Sequence, residues 1–496
     1  MSEESKPEAS KKGKGKGKGK AGRGEGEMNN ISGALVEQLL KANPSLAGEM
    51  QGMDSRKVEE MMRGMNLQDI LTGMAAGGKN QKDMASYKFW NTQPVPKFGE
   101  DEPSPDGPLR ENDLSKVKTV GAELIEGFEW DTVDLADDQQ VREVYELLSH
   151  HYVEDSEAMF RFNYSASFLH WALKAPGWVK NWHVGVRVTG TRKLVAFISG
   201  IPVTLRVREN TLRCSEINFL CIHKKLRGKR LAPVLIKEVT RRCNLESVWN
   251  AIYTAGVVLP KPISTCRYFH RSLDWLKLYE TGFSPLPASS TKAKQVTKYA
   301  LPANTSTTGL RDMEVKDLDA VHDLLTRYLE RFELVPKFTV EEIGHWLLNG
   351  GSKYEERIVW SYVVEEEGKV TDFFSFYSLE SSVIGREETI RAAYLFYYAS
   401  ETAFSKSPNA KQELKVRLNA LMHDALILAK KFNFDVFNAL TLLDNTLFLE
   451  AQKFGAGDGS LHYYLFNWGT SFISGGIDDK KNIDQERGSG VGVVML

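Results

Sequence analysis

Two stretches of this 496-residue chain carry the same succession of patterns, and that repetition limits the fold more than any other feature. In the first, the apolar run Leu194-Val195-Ala196-Phe197-Ile198 precedes Ile217 to Ile222, then an apolar-faced stretch from Leu231 to Arg242, then Ala251-Ile252-Tyr253. In the second, Asp372-Phe373-Phe374-Ser375-Phe376 precedes Ala392 to Tyr398, then a stretch from about Leu414 to Lys431, then Asp435-Val436-Phe437-Asn438. Short runs rich in β-branched and aromatic residues read as strands, and the longer runs with a period of about 3.6 read as helices. Each copy is therefore strand, strand, helix, strand, which predicts an α/β (α+β mixed) fold made of two tandem halves. So long a chain exceeds one ordinary core, and a Pro/Ser/Thr-rich join from Ser284 to Thr308 separates the copies.

The copies differ where chemistry is expected. Between the strand Glu216 to His223 and the helix at Leu231 lies the cationic loop Lys224-Lys225-Leu226-Arg227-Gly228-Lys229-Arg230, whereas the second copy has Ser400-Glu401-Thr402-Ala403-Phe404-Ser405. The first N–H groups of a helix lack intrahelical partners and carry partial positive charge, so a helix start ringed by Arg227, Lys229 and Arg230 suits an anion such as a diphosphate. A solvated basic turn explains the same run from composition alone. Arg227-x-x-Arg230-x-Ala232 resembles the Gln/Arg-x-x-Gly-x-Gly/Ala signature with which GNAT-type acyltransferases hold the pyrophosphate of coenzyme A, with Arg230 standing where that signature has glycine.

The longer string from Glu216 through Ile222, the basic loop and Leu231-Ala232-Pro233-Val234-Leu235-Ile236-Lys237-Glu238 resembles the signature of protein N-myristoyltransferases. Tyr87 to Val95 (YKFWNTQPV), Tyr152-Val153-Glu154-Asp155, Met159-Phe160-Arg161-Phe162, Tyr253 to Pro260 (YTAGVVLP) and Lys453 to Gly459 (KFGAGDG) resemble further motifs of that family, in its order. The resemblance spans roughly residues 85 to 496. It implies two GNAT-like halves with pseudo-twofold symmetry, residues 85–290 binding acyl-CoA and 291–496 forming a peptide groove. It implies myristoyl-CoA as co-substrate, no metal, a monomer, and protein substrates with an N-terminal glycine. Gly228 departs from the family, which has serine there; its N–H remains available and its lack of a side chain lets the backbone approach closely.

The family resemblance also assigns roles. Tyr87, Lys88, Phe89 and Trp90, with Phe219, Leu220, Cys221, Ile222 and the stretch Arg227, Gly228, Lys229, Arg230, Leu231, Ala232 and Pro233, are expected to hold the cofactor. The N–H groups of Phe219 and Leu220 are expected to form an oxyanion hole, and Asn218 and Thr254 to hold the glycine amine. Tyr152, Phe160, Phe162, Tyr164 and Tyr268 match aromatic walls of the peptide groove, with Asp155, Glu157 and Asp458 as its acidic lining and His270 beside it. Core packing explains the aromatic residues, and surface exposure the carboxylates, without any groove. A cramped site at Gly256 and Leu496 is expected to exclude residues larger than glycine.

No Ser-His-Asp or Cys-His arrangement offers a base, and His223 and His270 also read as structural. The end of the chain, Val491-Gly492-Val493-Val494-Met495-Leu496, is apolar after a polar, Gly-rich loop, whereas most termini are polar and frayed. A docked end would make the Leu496 α-carboxylate a fixed base, the role the resemblance gives it; a terminal edge strand is the plainer reading.

Charge and composition narrow the rest. Lys and Arg number 64 against 65 Asp and Glu, so the whole molecule is no obvious nucleic-acid binder. Cys214, Cys221, Cys243 and Cys266 lack zinc or disulfide spacing and read as reduced thiols of a cytoplasmic protein. There is no apolar signal segment and no run of about 18 apolar residues, so secretion and membrane spanning are not expected. Ser2 follows Met1, so the chain reads as the modifier rather than as a myristoylated substrate. Residues 1–30, where Lys alternates with Gly, cannot bury enough surface to order and read as a disordered tail, either solubilising or bound to RNA, which the resemblance sharpens to the ribosome. Residues 31–84 read as a helical hairpin and linker, from the runs around Leu35 to Leu40 and Val58 to Met65 flanking Asn43-Pro44. Two other functions remain open at this point: a GNAT-type N-acetyltransferase, and a ribosome- or RNA-binding protein acting through its basic tail.

Overall fold

The computed structural model describes residues 84–103, 105–152, 160–348 and 356–496, all within a compact unit running from Asn80 to Leu496. The expected tail, the expected hairpin up to residue 83, and Asp155 and Glu157 lie outside the described residues. The first half contributes β1 (Phe128–Thr132), α1 (Asp138–His151), β2 (Phe160–Asn163), α2 (Ala166–Leu173), β3 (Val184–Val188), β4 (Leu194–Val207), β5 (Asn210–Ile222), α3 (Leu231–Leu245), β6 (Asn250–Ala255), β7 (Ser264–Ser272) and α4 (Trp275–Glu280). The second contributes α5 (Lys292–Tyr299), β8 (Leu310–Asp312), α6 (Leu318–Leu329), β9 (Leu334–Pro336), α7 (Val340–Leu347), β10 (Val359–Glu366), β11 (Lys369–Val383), β12 (Thr389–Ser400), α8 (Ala410–Lys431), β13 (Val436–Leu440) and β14 (Gly455–Phe466). The duplication read from the sequence is present: β4, β5, α3 and β6 recur as β11, β12, α8 and β13. Among the described residues, no helix is long and apolar enough to cross a membrane.

One sheet runs through both halves in the order β1-β3-β4-β5-β6-β14-β7-β13-β12-β11-β10-β8, and it reads the same from either end once each strand is replaced by its counterpart. That is the pseudo-twofold symmetry, and it works by exchange. β14 of the second half pairs with β6 of the first, and β7 of the first with β13 of the second. β9 crosses to β4, and β2 to β11, in the same reciprocal way. Neighbouring strands are antiparallel except β5 with β6 and β12 with β13.

Helices cover the faces. Leu235, Val239 and Cys243 recur every four residues, which puts them on one side of α3, where they are buried with Val184, Val186, Ala196 and Ile198 of the sheet. α8 likewise buries Leu414, Leu418, Leu421 and Met422 in the other core. Among the bulges of the sheet, one pair sits at matching places on β5 and β12. On β5, Phe219 and Leu220 oppose Ile198 alone, because Phe197 pairs with Cys221 and Ser199 with Asn218. On β12, Phe396 and Tyr397 oppose Ser375, between the pairs Phe374–Tyr398 and Phe376–Leu395. An extra residue turns local backbone groups out of the ladder.

Candidate active site

The parallel pairing of β5 with β6 covers only Cys214–Glu216 against Asn250–Ile252. Beyond it a cavity of about 200 Å³ lies between the strands and α3. Asn218, Phe219, Leu220, Tyr253 and Thr254 line it from the strands, and Ile198, Ile236, Val239, Cys243 and Val248 supply an apolar wall. Phe219 has φ of +55°, the left-handed region that few non-glycine residues adopt. Its ring, 1% exposed, is packed at 5.0 Å from Tyr164 and 5.9 Å from Tyr152, and that packing holds the bulge in place. The Tyr253 hydroxyl, in the same cavity, is buried without a hydrogen-bond partner, so a polar group on a ligand has a donor waiting.

The segment before β1 closes one side. Trp90 stacks on Tyr253 at 5.5 Å, and Tyr253 stacks on Tyr464 at 5.0 Å. Phe89 meets Trp90 edge-on at 5.1 Å, the Tyr87 hydroxyl donates to the Val258 carbonyl at 3.0 Å, and Lys88 is exposed. Ile222 packs beside the α3 core. The Cys221 side chain turns away from the cavity, its thiol donating to the Leu147 carbonyl at 3.6 Å and pushed up to about 12 by burial.

The basic loop is exposed from Arg227 to Arg230, and α3 begins without a side-chain cap. Leu231, Ala232 and Pro233 form its first turn. Arg227 donates to the His151 carbonyl, and the His151 ring lies 4.0 Å from that of His223. Burial first, then His223, His150, Lys224 and Arg227, lower the His151 pKa to about 4. Gly228 has φ of +79° with nothing within 4 Å of where a Cβ would stand. A serine there would meet backbone strain rather than lack of room.

The aromatic residues form one wall. Tyr152, Phe162 and Tyr164 adjoin, with rings 5.7 to 5.8 Å apart. Burial, then the phenols of Tyr152, Tyr394, Tyr377 and Tyr268, push the Tyr164 pKa well up. β2 carries Phe160 onto Phe283, at 5.6 Å. Tyr268 stacks on His270 at 6.5 Å, and His270 Nδ1 is 2.6 Å from Asn438 Oδ1. Burial lowers the His270 pKa, opposed by Asn438 and by Asp458, which is exposed on β14. Gly256 is exposed, and a Cβ on it would meet only the Ser460 carbonyl at 3.9 Å. Gly457 is tighter, since a Cβ there would lie 2.5 Å from His270 Nε2.

The terminal residues are inside the protein, and Val491 alone among them bridges to a strand residue, Leu334 of β9, so no edge strand forms. Val491, Val493, Val494 and Met495 are buried. Val491 accepts from the Leu443 N–H at 2.8 Å, Tyr463 donates to the Val493 carbonyl at 3.1 Å, and the Val494 N–H donates to the Tyr397 hydroxyl at 3.0 Å. Leu496 thereby reaches a small cavity of about 30 Å³ shared with Glu216, Phe338 and Tyr397. Glu216 was not among the expected site residues. Its Oε1 accepts from Asn218 Nδ2 at 2.8 Å, and burial raises its pKa to about 7.

The architecture has close known counterparts. The family model described as myristoyl-CoA:protein N-myristoyltransferase, N-terminal domain, matches residues 109–266, and that of the C-terminal domain matches 280–494. Glycylpeptide N-tetradecanoyltransferase of Aspergillus fumigatus is 60% identical over 94% of this chain and 95% of its own length, and that of Emericella nidulans is 60% identical over 93% and 94%. A crystal structure of Saccharomyces cerevisiae N-myristoyltransferase with bound myristoyl-CoA superposes with a TM-score of 0.80 at 50% identity, covering 82% of this chain and 94% of that one. With the duplicated fold and matches spanning both halves, the chain is an acyltransferase that belongs to the myristoyl-CoA:protein N-myristoyltransferase family.

Proposed function

We propose that this chain transfers a tetradecanoyl group from myristoyl-CoA to the α-amine of an N-terminal glycine. The observation that carries the reading is the gap between β5 and β6, which sets an apolar cavity against a backbone bulge, one short loop away from an uncapped helix start ringed by cations. The relative solved with bound myristoyl-CoA supports it. Acetyl transfer would leave the apolar wall of Ile198, Val239, Cys243 and Val248 without an occupant.

Arg227, Lys229, Arg230 and the free N–H groups of Gly228, Leu231 and Ala232 hold the diphosphate, and Trp90 and its neighbours pack the nucleotide side. The aromatic wall takes the peptide, with Asp155, Glu157 and Asp458 meeting basic residues farther along it. A glycine α-amine, with a pKa of about 7.7–8.0, is mostly ammonium at neutral pH and must lose a proton first. The Leu496 carboxylate accepts that proton while Asn218 and Thr254 hold the nitrogen; a positioned base is worth about 10²- to 10⁴-fold. The nitrogen then attacks the thioester carbonyl, and the N–H groups of Phe219 and Leu220 receive the developing oxyanion, worth on the order of 10²- to 10³-fold per donor. The C–N bond forms, the C–S bond breaks, and coenzyme A leaves as the thiol after gaining a proton.

The test is mass spectrometry of a glycine-initiated basic octapeptide after incubation with myristoyl-CoA. The full chain should add one tetradecanoyl group, and a chain lacking Leu496 should lose at least about 10²-fold in rate. No acylation by the full chain would overturn the reading.

A further inference from the structure

Glu216 has no role in the mechanism above, yet it links the two cavities of the site. It lies two residues before Asn218, on the same face of β5, paired across the sheet with Ile201 of β4 and Ile252 of β6. It is 9% exposed, and a carboxyl facing inward from a central strand is costly to bury unless it is used. Glu216 borders the small cavity reached by Leu496, whereas Asn218 borders the larger one beside Phe219 and Leu220. The other titratable groups facing it are Tyr377 of β11, Tyr397 of β12, Glu342 of α7 and the end of the chain at Leu496.

A carboxamide offers a donor at nitrogen and an acceptor at oxygen, two ends of nearly equal size, so shape alone does not decide which one faces a ligand. A carboxylate only accepts, and the protonated acid keeps an acceptor oxygen beside its O–H donor. By accepting from Asn218 Nδ2 at 2.8 Å, Glu216 turns the NH₂ end toward itself and leaves Oδ1 for the other side. An arriving ammonium presents only protons, so an acceptor is what it requires and an NH₂ group would repel it. We propose that Glu216 is a positioning residue, which orients the Asn218 carboxamide so that its oxygen receives the amine of the N-terminal glycine. The inference rests on the transferase reading given above.

A double-mutant cycle tests it, with kcat/KM for the glycine-initiated peptide measured in Glu216→Ala, Asn218→Ala, the double variant and Glu216→Gln. Glu216→Ala should lose about tenfold, the worth of one hydrogen bond. The same change in the Asn218→Ala background should cost nothing further, because contacting residues that act as a unit are not additive. Glu216→Gln should restore most of the activity, since its amide oxygen still accepts from Nδ2. Equal losses from Glu216→Ala in both backgrounds, full activity of that variant, or a glutamine variant no better than alanine would each overturn the proposal. Should the alanine variant fail to fold, Glu216→Met fills the same space without an acceptor and takes its place in the cycle. Failure of the transferase reading itself is separate, because the unaltered chain would then acylate nothing.

Discussion

Phe219 serves the site through two different sets of atoms. Its ring anchors the bulge among Tyr152 and Tyr164, while its N–H belongs to the backbone turned out of the ladder. Phe219→Leu should therefore cost about 1–2 kcal/mol of stability from the lost ring contacts and leave kcat within severalfold, measured by chemical unfolding beside peptide acylation. Glu216 has the opposite character, a polar group whose burial is a liability. Its pKa rises from 4.5 to about 7, burial being the cause, so the folded state keeps a proton that the unfolded chain has already released. Stability then falls as pH climbs through that window, by on the order of 3 kcal/mol. Glu216→Gln should match the unaltered chain near pH 4.5 and exceed it by about that amount at pH 8, read from guanidinium unfolding at the two pH values. The signal for Glu216 stood in the sequence: Cys214, Glu216 and Asn218 alternate on one face of a strand whose neighbours are apolar, and a carboxylate in such a register has a purpose. Gly256 stood out only by its place in a motif, and nothing local in the sequence shows that β6 ends at Ala255, just before it.

Comparing the two bulges shows how the proposed oxyanion site differs from its counterpart in the other half. On β12, the hydroxyl of Ser375 accepts from the Tyr397 N–H at 3.2 Å. The matching residue on β4 is Ile198, whose side chain has nothing to accept with, so the Leu220 N–H is not quenched in this way. Ile198→Ser should supply the missing acceptor and lower kcat at least about tenfold more than Ile198→Ala, which trims the same wall without adding a hydroxyl; single-turnover acylation separates that loss from any change in acyl-CoA binding. The end of the chain packs elsewhere: Val491 and Val494 bond to Leu443 beyond β13 and to Tyr397 of β12, beside Glu342 and Trp346 of α7. Arg227→Ala combined with Lys229→Ala should raise KM for the acyl-CoA severalfold, with the difference shrinking as salt is added, because exposed cations are screened. At this scale the sequence was informative: both strand, strand, helix, strand series appear where their periodicity put them. The bulges were less legible, because an extra residue in a strand is recognised only against its partner.

Which strands pair across the whole molecule was not legible at all. Nothing local in β2, β7, β9 or β14 marks them as pairing with the opposite half, since partner choice is a non-local property of the sheet. Because each half lends two strands to the other, residues 85–290 and 291–496 produced separately should not give two folded proteins. Each alone should be insoluble or poorly structured, and co-expression should recover an active complex, checked by circular dichroism and acylation of the glycine peptide. The exchange is also uneven in time. When β13 is synthesised, β7 has long been present to receive it, but β6 must wait for β14, which ends at Phe466. At about 5–20 residues per second that wait is on the order of ten seconds or more. For that interval the half with the apolar cavity stands on the ribosome with a bare strand edge, the kind of surface that recruits another chain. The need for chaperone protection during synthesis therefore falls on the half that carries the cavity.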